Sequence, residues 1–102
     1  MTSLIEVNRG RLEVLCREYG VKRLELFGSA VSGGFDDQAS DLDFLVEFMP
    51  SDCAGHARAY LGLLVALEDL FEREIDLLEI KAIRNPYLME SINQTKVELY
   101  AA

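Results

Sequence analysis

The sequence predicts an α/β or α+β domain, a sheet with helices packed on it in layers. Three observations lead there. Short runs of strand character, Arg23–Phe27, Asp41–Phe48 and Glu74–Ile80, alternate with stretches of helical spacing in the order helix, strand, strand, helix, strand, helix. Helix-start chemistry stands ahead of the first and last helical stretches, at Ser3-Leu4-Ile5-Glu6 and Asn85-Pro86. No repeat, low-complexity tract or long linker divides the 102 residues, so residues 1–102 are expected to form one domain.

Taken in order, Ser3 and Glu6 form a capping box, and Leu4, Ile5, Leu12, Leu15, Cys16 and Tyr19 recur near helical spacing. Gly20 suits the residue after a helix, while Gly10 weakens that pattern by about 1 kcal/mol relative to Ala. Arg23-Leu24-Glu25-Leu26-Phe27 alternates as a strand and breaks at Gly28-Ser29. Ser32-Gly33-Gly34 and Asp36–Ser40 are loop chemistry. Asp41–Phe48 is apolar at nearly every position after Asp43, as in a strand covered on both faces. Pro50–Gly55 reads as a connector, with the sole histidine, His56, in a surface loop beyond it. Tyr60, Leu63, Leu64, Leu67, Leu70 and Phe71 mark a helix face. Asn85 caps a helix with Tyr87, Leu88 and Ile92 on its buried side, and Val97–Tyr100 is a short final strand.

Composition excludes several function classes. Eighteen acidic residues against ten basic ones give a net charge of −8, and the basic residues are scattered. Direct DNA or RNA binding, which calls for clustered Lys and Arg, is therefore not expected. The balance favours cations or a basic protein partner instead. Glu18, Glu25, Glu68, Asp69 and Glu72 read as solvated faces, some of them available to such a partner. No apolar stretch approaches the roughly 20 residues of a membrane span, and no signal peptide is evident at Met1-Thr2-Ser3. Cys16 and Cys53 form no C-x-x-C pattern and read as reduced, buried thiols, which points to a cytoplasmic protein.

The chemistry concentrates between Phe27 and Val46. Residues two apart on a strand point the same way, so Asp41 and Asp43 can converge on one ion while Leu42 faces the opposite side. Mg²⁺ takes oxygen ligands and keeps waters, so two or three carboxylates with substrate phosphate suffice, and the ion would neutralise charge at the mouth of an apolar strand. Asp76, in the other strand of similar character, completes a triad if the two strands pair. Upstream, a short helix beginning near Ser29 would direct backbone amides outward, toward phosphate oxygens, with Gly28 permitting close approach. Taken singly, each piece reads as a turn or a solvated strand end. The combination of strand, Gly-Ser, an eleven-residue gap, Asp-x-Asp, helix and strand Asp is far more specific.

Phe27-Gly28-Ser29 followed by Ser40-Asp41-Leu42-Asp43-Phe44-Leu45-Val46 resembles the signature of the polymerase-beta-like nucleotidyltransferase superfamily. The short length points to its minimal nucleotidyltransferase branch, and the similarity extends to Asn85-Pro86-Tyr87-Leu88 and Leu99-Tyr100. The resemblance implies a small mixed β-sheet packed by helices. It implies that Gly28 and Ser29 grip nucleotide phosphates, that Asp41 and Asp43 bind catalytic Mg²⁺ (two ions), and that Asp76 is the third carboxylate. It also implies ATP as substrate and a HEPN-domain toxin as partner, AMP being passed to a tyrosine of a toxin that this chain restrains as antitoxin. One departure stands out: many relatives carry Arg soon after Gly-Ser, whereas Ala30-Val31-Ser32-Gly33-Gly34 has no basic residue. Lys81 or Arg84 could supply the cation, though both also suit a solvated strand end.

Two further readings follow from these features. A catalytically weak member would neutralise its partner by occlusion alone. A transferase acting on a small molecule such as an aminoglycoside would need a pocket built across a homodimer or hetero-oligomer, since the chain is short for a second lobe.

Overall fold

The computed structural model describes residues 3–32 and 41–102, apart from the side chains of Ser3, Ser29 and Ser32. The Ser3 cap, the Ser29 hydroxyl and the loops of residues 33–40 thus lie outside the described residues. Helices α1 (Ser3–Val7) and α2 (Arg9–Glu18) precede strand β1 (Val21–Phe27) and a single turn, α3 (Ser29–Ser32). Strand β2 (Leu42–Phe48), helix α4 (Cys53–Phe71) and strand β3 (Ile75–Glu79) follow. A 3₁₀ turn at Ile80–Ala82, helix α5 (Pro86–Thr95) and strand β4 (Val97–Ala101) complete the order.

The four strands form one mixed sheet in the order β3-β2-β1-β4. β1 pairs antiparallel with β2 and β4, while β2 and β3 run parallel, joined by the α4 crossover. Alternation divides the side chains between two faces. Leu24, Leu26, Leu42, Phe44 and Val46 pack against Leu12 and Cys16 of α2 and Leu63, Leu67 and Phe71 of α4. The opposite face is smaller: Phe27 and Leu45 meet Ile92 of α5, with Leu78, Ile80 and Ile83 around them. Covered on both sides, β2 buries five of its seven residues, which accounts for its near-continuous apolar sequence.

Local chemistry explains most boundaries and corrects several expectations. The first helical stretch is two helices, and the break falls at Asn8 rather than Gly10. The Asn8 amide donates to the Leu4 carbonyl at 2.9 Å, and Gly10 sits inside α2. Gly20, at φ +67°, follows the α2 end as expected. The connector after β2 is shorter than expected, because the Asp52 carboxylate accepts from the Gly55 amide at 2.6 Å and starts α4 at Cys53. His56 therefore lies in the first turn of α4, not a loop. Its Nε2 pairs with Glu79 Oε1 at 2.7 Å, and its ring meets Phe48 edge-on. Of the cysteines, Cys16 is buried and Cys53 is exposed, both free. Burial pushes the Cys16 thiol up to about 12, with Glu13 adding to the shift.

Asn85 caps α5 by accepting from the Tyr87 and Leu88 amides. Only Ile92 of that helix enters the core; Tyr87 is 81% exposed and Leu88 40% exposed, contrary to expectation. The small α5-side cluster engages the helix at Ile92, one turn and more beyond those two residues. Glu25 is also corrected, from solvated to 5% exposed. It lies on central β1, opposite Leu45 on one side and Glu98 on the other, and Lys96 reaches it at 3.6 Å.

Candidate active site

Three neighbouring strands place one row of residues at the same end of the sheet. Phe27 of β1 is the Cα partner of Asp43, and Asp43 is the Cα partner of Asp76 on β3. Asp43 lies on the Leu45 side of β2, and Asp76 on the Leu78 side of β3. Both carboxyls therefore project from the α5 face, away from the main core. Asp43 is half-buried and Asp76 is exposed. The Asp43 carboxyl is pushed up to about 6 by burial first, then by hydrogen bonding to and the charge of Asp76, then by the charge of Asp41. Asp41 is exposed, one residue ahead of the strand expected to contain it.

Gly28 closes the other side of this group. Its φ is +75°, and a Cβ added there would sit 2.5 Å from Asp43 Oδ2, so the backbone lies directly against the carboxylate. α3 starts at the next residue, as expected, with the Val31 amide bonded to the Gly28 carbonyl at 3.1 Å. The Gly28 amide donates to Thr95 Oγ1 at 3.3 Å, and Thr95 Oγ1 lies 3.4 Å from the Ser91 carbonyl. Thr95 was not foreseen. It lies 67 residues from Gly28 at the end of a different helix, and no local pattern announces it.

A carboxylate pair held together against its own repulsion, with a third negative charge beside it, is an all-oxygen donor set. It suits a hard divalent cation such as Mg²⁺, which uses one or two carboxylates and fills the rest of its shell with water and phosphate. Among the described residues no group of three His, Cys, Asp or Glu side chains is gathered as a finished metal cage. The structure brings Asp43 and Asp76 together, while Asp41 acts on Asp43 through its charge. Lys81 and Arg84 are exposed, at and beyond the 3₁₀ turn after β3. Grooves of about 800, 540 and 510 Å³ are lined by residues of α4, α2 and the connector after β2, and none of them includes Gly28, Asp43 or Asp76.

The family described as "Nucleotidyltransferase domain" matches residues 9–99, from α2 into β4. The chain belongs to this nucleotidyltransferase family. A Methanocaldococcus jannaschii relative, "Putative protein adenylyltransferase MJ1379", is 33% identical over 94 residues, 92% of each chain. The solved "Structure of putative minimal nucleotidyltransferase" superposes with a TM-score of 0.71 at 29% identity, over 93% of this chain and 92% of that one. A chain from the complex described as "tri-AMPylated Shewanella oneidensis HEPN toxin in complex with MNT antitoxin" shares the fold, with a TM-score of 0.59 at 18% identity over 95% of this chain and 72% of that one. The nucleotidyltransferase thus has the polymerase-beta-like fold and is a minimal nucleotidyltransferase, as its motifs implied.

Proposed function

We propose that this nucleotidyltransferase passes AMP from ATP to a hydroxyl, that of a tyrosine, on a HEPN-domain toxin and thereby acts as its antitoxin. The observation that carries the reading is the Asp43–Asp76 carboxyl pair at one end of the sheet with positive-φ Gly28 against it. The adenylyltransferase name of the relative and the AMPylated toxin in the structural neighbour's complex support the group transferred and the acceptor class.

In this reading Asp41, Asp43 and Asp76 hold Mg²⁺, and Gly28 and Ser29 hold the nucleotide phosphates. When bound, the metal supplies charge neutralisation at the phosphates and a lowered pKa for the attacking hydroxyl. The acceptor oxygen forms a bond to the α-phosphorus, the bond from that phosphorus to the β-phosphate oxygen breaks, and pyrophosphate leaves. The hydroxyl proton goes to a carboxylate, which we assign to Asp76, the exposed member of the pair and so the one an acceptor can approach. Asp43, deeper and against Gly28, is the fixed member.

Intact-mass spectrometry of the partner toxin after incubation with ATP and Mg²⁺ tests this: the expected result is a gain of one or more AMP units. No gain, from two proteins shown to bind each other, rejects the transfer. One observation favours a second reading, neutralisation by binding alone: the run Ala30–Gly34 lacks a cation. Asp43→Asn separates the two, since transfer predicts loss of neutralisation with binding retained, and occlusion predicts neutralisation unchanged.

A further inference from the structure

We propose that the outer face of α4 is a self-association surface, on which a second copy of this chain packs its own α4 antiparallel to the first. After Cys53, the exposed residues of α4 are Ala54, Ala57, Arg58, Leu61, Val65 and Asp69. They share one face, at spacings of three and four. Four are apolar, Leu61 being 59% exposed and Val65 54%. The groove they line measures about 800 Å³, and a neighbouring groove of about 540 Å³ adjoins it at Ala66 and Asp69. That second groove extends the apolar surface onto α2, where Val14 is 53% exposed. An apolar helix face of this kind on a chain with net charge −8 marks an interface rather than a solvated surface.

The charges on this face identify the occupant. Arg58 and Asp69 stand at its two ends, eleven residues and so about 16 Å apart along the axis, too far to pair with each other. Neither has an ion pair with another described residue. A two-fold axis passing beside the helix midway between Gly62 and Val65 exchanges position 58 with position 69. Arg58 of each copy then meets Asp69 of the other, while Leu61 and Val65 fill the centre. An isologous interface requires this self-complementarity, in which residue i meets j and j meets i. The face also sums to zero charge, so two acidic chains meet there without the repulsion that their net charge imposes elsewhere. A patch built on one helix and its flank is at the small end of specific interfaces, and the expected association is reversible and concentration-dependent.

Sedimentation equilibrium across a concentration series tests the proposal on the intact chain. The wild type is expected to dimerise, and Leu61→Glu to be monomeric over the same range. Arg58→Asp and Asp69→Arg are each expected to raise the dimer dissociation constant by about tenfold or more, because each places like charges together twice per dimer. Mixing these two variants restores opposite charges at both contacts of the heterodimer and is expected to return association to near the wild-type level. The double variant carrying both changes should do the same by itself. All these positions are exposed, so unchanged far-UV circular dichroism and melting temperature accompany the expected result. A chain that stays monomeric up to millimolar concentration, as it would if the face belonged to a different protein, overturns the proposal. So does a dimer indifferent to Leu61→Glu, or one whose charge variants are not rescued by mixing.

Discussion

Gly28→Ala puts two separable effects on one residue. At φ +75° a Cβ costs about 1–2 kcal/mol of left-handed strain. In a domain of this size that lowers the melting temperature by about 4–15 °C. The same Cβ would lie 2.5 Å from Asp43 Oδ2, 3.4 Å from its Cγ and 3.7 Å from its Cβ. The carboxyl is the movable part, so the methyl is accommodated by swinging Oδ2 away until it reaches ordinary contact, a displacement of about 1 Å. Misplacement of that size costs a catalytic group about a hundredfold in rate. Gly20 provides the matched control, with φ +67° and nothing within 4 Å of an added Cβ. Gly20→Ala should therefore melt about as early as Gly28→Ala while transferring AMP to the partner at the wild-type rate. The assay pairs thermal melts with the rate of AMP incorporation by mass spectrometry, below both melting temperatures. A Gly28→Ala protein that transfers as fast as Gly20→Ala would refute the claim that this backbone sets the Asp43 carboxylate.

Three further outcomes follow from the same geometry. Because the Asp43 carboxyl titrates near 6 in the fold and near 3.9 unfolded, the fold binds the extra proton between those values. Its contribution to stability is fully present below about pH 4 and is lost as pH rises through 6. Asp43→Asn should therefore be the more stable protein at pH 7.5 without divalent ions, by of order 1 kcal/mol after solvent screening of a half-buried group, and lose most of that advantage at pH 4.5. Mg²⁺ should raise the wild-type melting temperature at pH 7.5 more than at pH 5, where the proton competes, and should not raise that of Asp43→Asn. Lys96→Met strands Glu25, which is 5% exposed with Oε1 unpartnered, and should cost about 2–4 kcal/mol in chemical denaturation, part of it recovered when Glu25→Gln is added.

Most of the candidate site is legible in the sequence because its parts are chemically conspicuous. Asp41-Leu42-Asp43 stands against an apolar run, and Gly28-Ser29 breaks an alternating strand; neither needs tertiary information to be noticed. Pairing Asp43 with Asp76 does need it. The two are 33 positions apart in sequence, and only the parallel register of β2 and β3 makes them Cα partners. Periodicity also places residues on a face without saying what covers that face. It set Tyr87, Leu88 and Ile92 together, but the sheet engages α5 only at Ile92. It set Glu25 opposite Leu24 and Leu26, and burial by Lys96 and the neighbouring strands was invisible. His56 was misplaced for a simpler reason: the Asp52 cap starts α4 three residues after Pro50, where turn-forming residues obscure the helix.

The two faces of the sheet divide stability from chemistry, and the division explains where the carboxylates are tolerated. Leu42 and Phe44 flank Asp43 in sequence but point into the main core, where both are fully buried. They hold that stretch of β2 in place whatever the state of the opposite side. Burial of the Asp43 carboxyl, and after it the charge of Asp76, thus fall on a strand that other residues have already fixed, and they are expressed as a raised proton affinity rather than as local unfolding. α5 adds the remaining constraint at low cost in buried area: Ile92 anchors the helix, and Thr95, three residues on, accepts from the Gly28 amide. A Thr95→Val protein tests that last link on its own. It should keep the Ile92 contact, lose about 1 kcal/mol in stability, and lose more in AMP transfer than that stability change accounts for. Equal stability and equal transfer would show that Gly28 is held by its own turn and that α5 contributes only packing.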